Sequence, residues 1–171
     1  MPTVVGIDRI KEEKINSLLK SGRLGVITAV SGISSDYRYT ADILTENFHV
    51  SALLAPEHGI WGALGPGEKV DGGVDKYTGI PTYSLYKDFL DVPGKEDQGE
   101  DMTGIMDGID IVVFDMQDVG SRYFTYASTL FCAMQTCAKV KKPLVLLDRP
   151  NPIGGRVEGN CLDMKYSSYI G

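Results

Sequence analysis

The feature that most constrains this chain is a set of short, apolar, largely β-branched runs separated by stretches of helical period. RLGVITAV (23–30), HVSALLAP (49–56), IPTYSLY (80–86), DIVVFDM (110–116) and KPLVLLDRP (142–150) each suit one buried strand. Between them, residues 10–21 read as an amphipathic helix closed by Gly22 as C-cap. Residues 39–48 return to helical spacing through Ala41, Leu44 and Phe48, and MTGIMDGI is a short helix. Residues 121–141 carry a helical stripe of Tyr123, Tyr126, Ala127, Leu130, Met134, Cys137 and Ala138. Strands that alternate with helices predict an α/β fold with a mostly parallel sheet covered on both faces. The expected parallel neighbours are 24–29, 50–54, 110–115 and 144–148, with the helix from 122 to 141 packed on them.

At 171 residues the chain is expected to form one domain, 1–171, with a core of its own. A net charge of −6 disfavours a nucleic-acid backbone as partner. No apolar run reaches the roughly 18 residues that a membrane-spanning helix needs. The opening MPTVVGIDRIKEEK shows no basic segment followed by an apolar one, so a cytoplasmic location is expected, or a secreted or cell-envelope one if a leader has been removed. Cysteine usage fits a reducing compartment: Cys132 and Cys137 fall on one expected helix, and no Cys-x-x-Cys spacing suggests structural zinc. Residues 57–80 form a glycine-rich stretch of about 24 residues without periodicity, longer than a routine connection and therefore a functional loop candidate. The acidic KDFLDVPGKEDQGED reads as a solvated excursion.

In open α/β sheets, ligands bind outside the carboxyl ends of the strands. The polar groups there are Glu57 with His58, Asp115 with Asp118, and Asp148 with Arg149. A dinucleotide loop would need G-x-G-x-x-G, and TAVSGISS has one glycine. GALGPGEKV puts Glu68 where a phosphate-binding loop needs lysine, and no G-x-S-x-G elbow occurs. What remains is carboxylate chemistry. One of Asp115 and Asp118 is expected to accept loop backbone N–H groups. A Mg²⁺ site on Asp115, Asp118 and Asp148 would make the chain a phosphotransfer domain. Arg122 and Arg149 either pair with these aspartates or fork onto a ligand carboxylate. Tyr123, Phe124 and Tyr126 offer core packing or an aromatic face for a sugar ring.

Five motifs in order, APEHGIWG, GEKV, GIPTYSLY, VVFDMQDVGSRYFTY and LLDRPNPIGG…VEGNCLD, resemble the exo-β-N-acetylmuramidases from about Gly25 onward. This is a family of bacterial glycoside hydrolases long catalogued as a domain of unknown function. The resemblance implies a Rossmann-like three-layer N-terminal domain, a second domain closing a cleft over it, and no cofactor. It also implies release of N-acetylmuramic acid from the non-reducing end of peptidoglycan fragments. The chain stops at KYSSYIG where family members continue, so only the first domain is expected here, with turnover by this chain alone in question. TAVSG departs from the asparagine and threonine that the family more often carries before this glycine.

Glycosidases usually place two carboxyl groups across the scissile bond, and Glu57 with Asp118 is the expected pair. Glu57, beside an apolar Ile-Trp pair, is the better proton donor, with His58 orienting it or bonding the sugar. Substrate contacts are expected from Arg122, Tyr126, Arg149, Asn151 and Glu158, with Arg122 or Arg149 taking the lactyl carboxylate. Glu158 is an alternative acid. The substrate's own 2-acetamido group is the other nucleophile, leaving one acid and one orienting carboxylate. A non-catalytic muropeptide-binding module is the competing function. Without the second domain, Ile60 and Trp61 are expected to lie exposed and to drive self-association.

Overall fold

The computed structural model describes residues 3–65, 72–85 and 102–170. The acidic stretch from 87 to 101 and the GEKV segment lie outside these residues. In chain order the strands are β1 (Leu24–Thr28), β2 (Val50–Ala55), β3 (Gly73–Val74), β4 (Pro81–Ser84), β5 (Ile111–Asp115) and β6 (Leu144–Leu146). The helices are α1 (Glu13–Lys20), α2 (Thr40–Asn47), α3 (Met102–Asp107) and α4 (Tyr126–Val140). The sheet order is β3-β4-β2-β1-β5-β6, parallel throughout except for the β3–β4 pair. Leaving out the two-residue β3, this is the 3-2-1-4-5 core of a doubly wound Rossmann-type sheet.

Side-chain parity explains the two layers. Along β5, Ile111 and Val113 enter one core with Leu24, Val26, Leu53, Ala41, Leu44 and Leu19, under α1 and α2. Val112 and Phe114 enter the other with Ile27, Leu54, Met106, Cys132 and Ala133, under α3 and α4. The period of two sends alternate residues to opposite faces, so a strand buried on both sides reads as an unbroken apolar run.

The structure redraws several elements. The helix expected at 10–21 is shorter, α1 from Glu13 to Lys20, and a 3-10 turn, Gly6–Arg9, precedes it. Its end is set by the Ser21 hydroxyl, which donates to the Leu18 carbonyl at 2.7 Å, and not by a left-handed Gly22. Gly22 instead leaves room for Asp110, whose Cβ would lie 2.7 Å from an added methyl. The long loop after β2 contains β3, which pairs antiparallel with β4.

The last helix begins at Tyr126, so Arg122 and Tyr123 sit on a loop. Its buried face is Tyr126, Thr129, Cys132, Ala133, Thr136 and Cys137, while Ala127, Met134 and Ala138 are exposed. Threonines turn inward because their hydroxyls find partners: Thr129 bonds the Thr125 carbonyl at 2.8 Å and the Tyr169 hydroxyl at 2.8 Å. Ile60 is not exposed either; it belongs to the α1/α2 core. Trp61 is half-buried, edge-on to Tyr39 and Tyr77, with its indole N–H on Asp75 at 2.7 Å.

Candidate active site

All the candidate strand-end groups do project from one edge of the sheet, because β1, β2, β5 and β6 run parallel. The chain winds outward from β1 through β2 to β4 and then crosses to β5, so the topological switch point lies between β1 and β5. That crevice is filled by the protein itself. Asp115 continues the parity of Ile111 and Val113 and is wholly buried on the α2 side. Arg149 forks onto it, Nε to Oδ1 at 2.5 Å and Nη2 to Oδ2 at 2.9 Å, and Thr40 donates its hydroxyl to Oδ2. The Arg149 side chain is only 7% exposed, and its Nη2 also donates to the Ile33 carbonyl at 2.8 Å. Burial pushes the Asp115 carboxyl up from its ordinary value, and the Arg149 fork opposes that rise. Gly32 packs into the same crevice, where an added methyl would meet the Thr28 hydroxyl at 2.3 Å. Arg149 is thus spent on the fold, and the aspartate of the metal trio faces a guanidinium.

The open volume lies one strand further, between the β5 and β6 ends and the start of α4. This cavity of about 450 Å³ is lined by Asp118, Arg122, Tyr126, Arg149 and Asn151 over an apolar floor that includes Phe114. Five of the eight expected site residues therefore meet in one place. Asp118 has a structural duty there: Oδ1 accepts the Gly120 N–H at 2.7 Å and Oδ2 the Ala127 N–H at 3.1 Å. An anionic oxygen on the first turn satisfies an orphan donor and complements the helix dipole, which explains why α4 starts where it does. Arg122 is exposed at the rim and donates to the Asn160 carbonyl at 3.0 Å. Tyr126 is buried edge-on against Phe124, so it supplies wall and not an open stacking face.

Glu57, His58 and Glu158 do not line this cavity. Glu57 stands half-buried just past β2, and among the described residues its carboxylate makes no hydrogen bond or ion pair. His58 holds its loop closed. Its backbone is left-handed, with φ of 69°, its carbonyl accepts the Leu64 N–H at 3.3 Å, and Nδ1 lies 2.9 Å from the Leu64 carbonyl. A carbonyl can only accept, so Nδ1 carries a proton, and in the neutral ring Nε2 is then the acceptor. A strained residue pinned at two points is a mark of functional loops. Glu158 is exposed and faces Arg156 at 4.0 Å.

Two further groups on the cavity were not among the expected site residues. Gln117 donates from Nε2 to the Asp118 carbonyl at 2.8 Å and the Pro150 carbonyl at 3.0 Å, joining the β5 and β6 ends. Asp148 faces the cavity with Oδ1 on the Arg149 N–H at 2.9 Å. Asp148 was legible as a strand-end acid; Gln117 lay within the VVFDMQDVGSRYFTY motif, but nothing there marked its side chain as a bridge.

The family model for the N-terminal part of the exo-β-N-acetylmuramidase NamZ matches residues 24–171. The chain belongs to the NamZ family. It is 37% identical over 169 residues to the peptidoglycan β-N-acetylmuramidase NamZ of Bacillus subtilis strain 168, covering 97% of this chain and 38% of that relative. Two solved DUF1343 family proteins of Bacteroides fragilis NCTC 9343 share the fold. One has a TM-score of 0.78 at 37% identity, over 99% of this chain and 41% of the other. The second has 0.74 at 32% identity, over 100% and 41%. This NamZ-family chain spans about two fifths of the length of these relatives.

Proposed function

We propose that this chain, 1–171, is a single Rossmann-like domain carrying the acid of an exo-acting β-N-acetylmuramidase. It takes peptidoglycan-derived sugars that end in N-acetylmuramic acid. The observation that carries this reading is Glu57. A family hydrolysing a glycosidic bond needs a proton donor, and this carboxyl stands at a strand end on a strained, clipped loop with no partner among the described residues. Glu57 gives its proton to the leaving oxygen as the bond to the anomeric carbon breaks. Water then adds its hydroxyl to that carbon and returns a proton to the carboxylate. His58, with Nε2 as acceptor, orients the sugar or the acid. Asp118, held by two backbone N–H groups, is the orienting carboxylate for the substrate's 2-acetamido group, whose oxygen bonds the anomeric carbon as the leaving oxygen departs and is displaced from it by that water. Arg122 is the cation for the lactyl carboxylate, since Arg149 is engaged by Asp115.

Glu57→Gln decides between enzyme and binding module. Hydrolysis of a muramic acid glycoside should vanish while binding of the same sugar persists; equal turnover by the variant sinks the assignment. A second reading rests on length: covering 38% of its curated relative, the chain by itself binds muropeptide without turning it over. The same assay on a form extended to the relatives' length separates the two, because only the extended form would then hydrolyse.

Two further readings follow from surface and thiols. The chain self-associates through α4, whose outward face carries Phe131 and Met134. None of its three cysteines forms a disulfide, and two of them are buried, which suits a cytoplasmic setting. Among the described residues no helix is long and apolar enough to cross a membrane.

A further inference from the structure

We propose that Tyr39, Trp61 and Tyr77 form a second sugar subsite, taking the N-acetylhexosamine next along the glycan from the ring held at Glu57. The proposal rests on the hydrolase reading for its direction, since an exo-acting enzyme must accommodate the chain it leaves behind. Trp61 is four residues beyond Glu57 on the loop that His58 clips to Leu64. Its ring lies 5.3 Å from Tyr39 at 84° and 5.2 Å from Tyr77 at 70°.

The cluster is built rigidly and then left open. Asp75 accepts the Trp61 indole N–H at 2.7 Å, the Thr78 N–H at 2.7 Å and the Thr78 hydroxyl at 2.8 Å. It also accepts the Tyr77 N–H at 3.1 Å, so one carboxylate fixes both aromatic residues. These bonds, chiefly against the cost of burial, hold Asp75 below its ordinary carboxylate value and in its accepting form. Tyr77 nonetheless leaves 66% of its surface in water, and Tyr39 leaves 40%. Core packing does not require the Tyr77 ring, whose partners are Trp61 and the Lys76 ammonium 5.0 Å from its centroid. A pyranose has one face of axial C–H bonds, which suits the negative face of an aromatic ring, and hydroxyls around its rim, which suit tyrosine O–H groups. A preorganised aromatic surface loses little entropy on taking such a ring.

Trp61 is the single tryptophan of the chain, so its fluorescence reads the subsite directly. The probe is soluble tri-N-acetylglucosamine titrated into the intact chain. A saturable change in emission is expected, weakened at least about fivefold in Tyr77→Ala and restored in Tyr77→Phe. No change in emission, or equal affinity in Tyr77→Ala, overturns the subsite. Competition by a free stem peptide but not by the sugar overturns it as well. Absence of hydrolysis by the unsubstituted protein, extended to the relatives' length, with the titration intact counts against the hydrolase reading alone, so the two failures are told apart.

Discussion

Asp115 and Arg149 carry opposite charges in the least accessible part of the molecule, and each is tolerable only because of the other. Removing one partner strands a buried charge, so Arg149→Met should cost about 3–5 kcal/mol in urea unfolding. The double change Asp115→Leu with Arg149→Met should recover most of that loss. A single variant as stable as the parent would mean that the pair contributes nothing. At the far edge of the sheet, Asp110 takes the Arg23 guanidinium at 3.0 Å and its N–H at 2.8 Å. The Arg23 contacts hold the Asp110 carboxyl well below its ordinary value of 3.8. A depressed folded-state value adds stability above the ordinary value, and that stability is lost as pH falls through the folded one. Acid titration of stability should therefore be shallower below about pH 4 in Asp110→Asn, and added salt should shrink the difference because the pair is half-exposed.

At the scale of elements, periodicity carried the sheet and its limits lay in the helices. β1, β2, β5 and β6 were legible because strands buried on both faces leave unbroken apolar runs, and their parallel pairing followed from the intervening helices. The register of α4 was not legible, since apolar residues fall on two of its faces and threonines were discounted as core. The later start of α4 depends on a carboxylate eight residues upstream of Tyr126, a contact that no local pattern encodes. At the site, Asp118, Arg122 and Asn151 were recoverable from strand-end position, whereas the commitment of Arg149 to Asp115 required knowing which way residue 115 points. Burial raises the Cys137 thiol to about 11, and Cys132 is equally inward. Titration with a thiol reagent should thus find one fast group, Cys161, and two that react only after unfolding. Three fast thiols would contradict the buried face of α4.

At the scale of the whole molecule, the outward face of α4 leaves two large apolar side chains in water. Phe131 is 61% exposed and Met134 53%, and they lie close to one helical turn apart. Sedimentation of the chain should show a concentration-dependent dimer that Phe131→Glu with Met134→Lys abolishes without lowering stability. A parent that stays monomeric at high concentration rules out this face as the contact.

The central place of β1 has a consequence for the order in which the molecule comes into being. Leu24 pairs with Val50 on one side and with Ile111 on the other. The first neighbour arrives soon after β1 is synthesised, whereas the second is 87 residues further along the chain. Until β5 has left the ribosome, the innermost strand of the finished sheet is an open edge, and a nascent chain presents it to whatever strand is nearby. Closing so long a loop before it is rewarded by contacts makes folding slow and exposes the intermediate to aggregation. A chaperone that holds the chain between the emergence of residue 55 and residue 115 would act over the interval in which the fold is most easily lost.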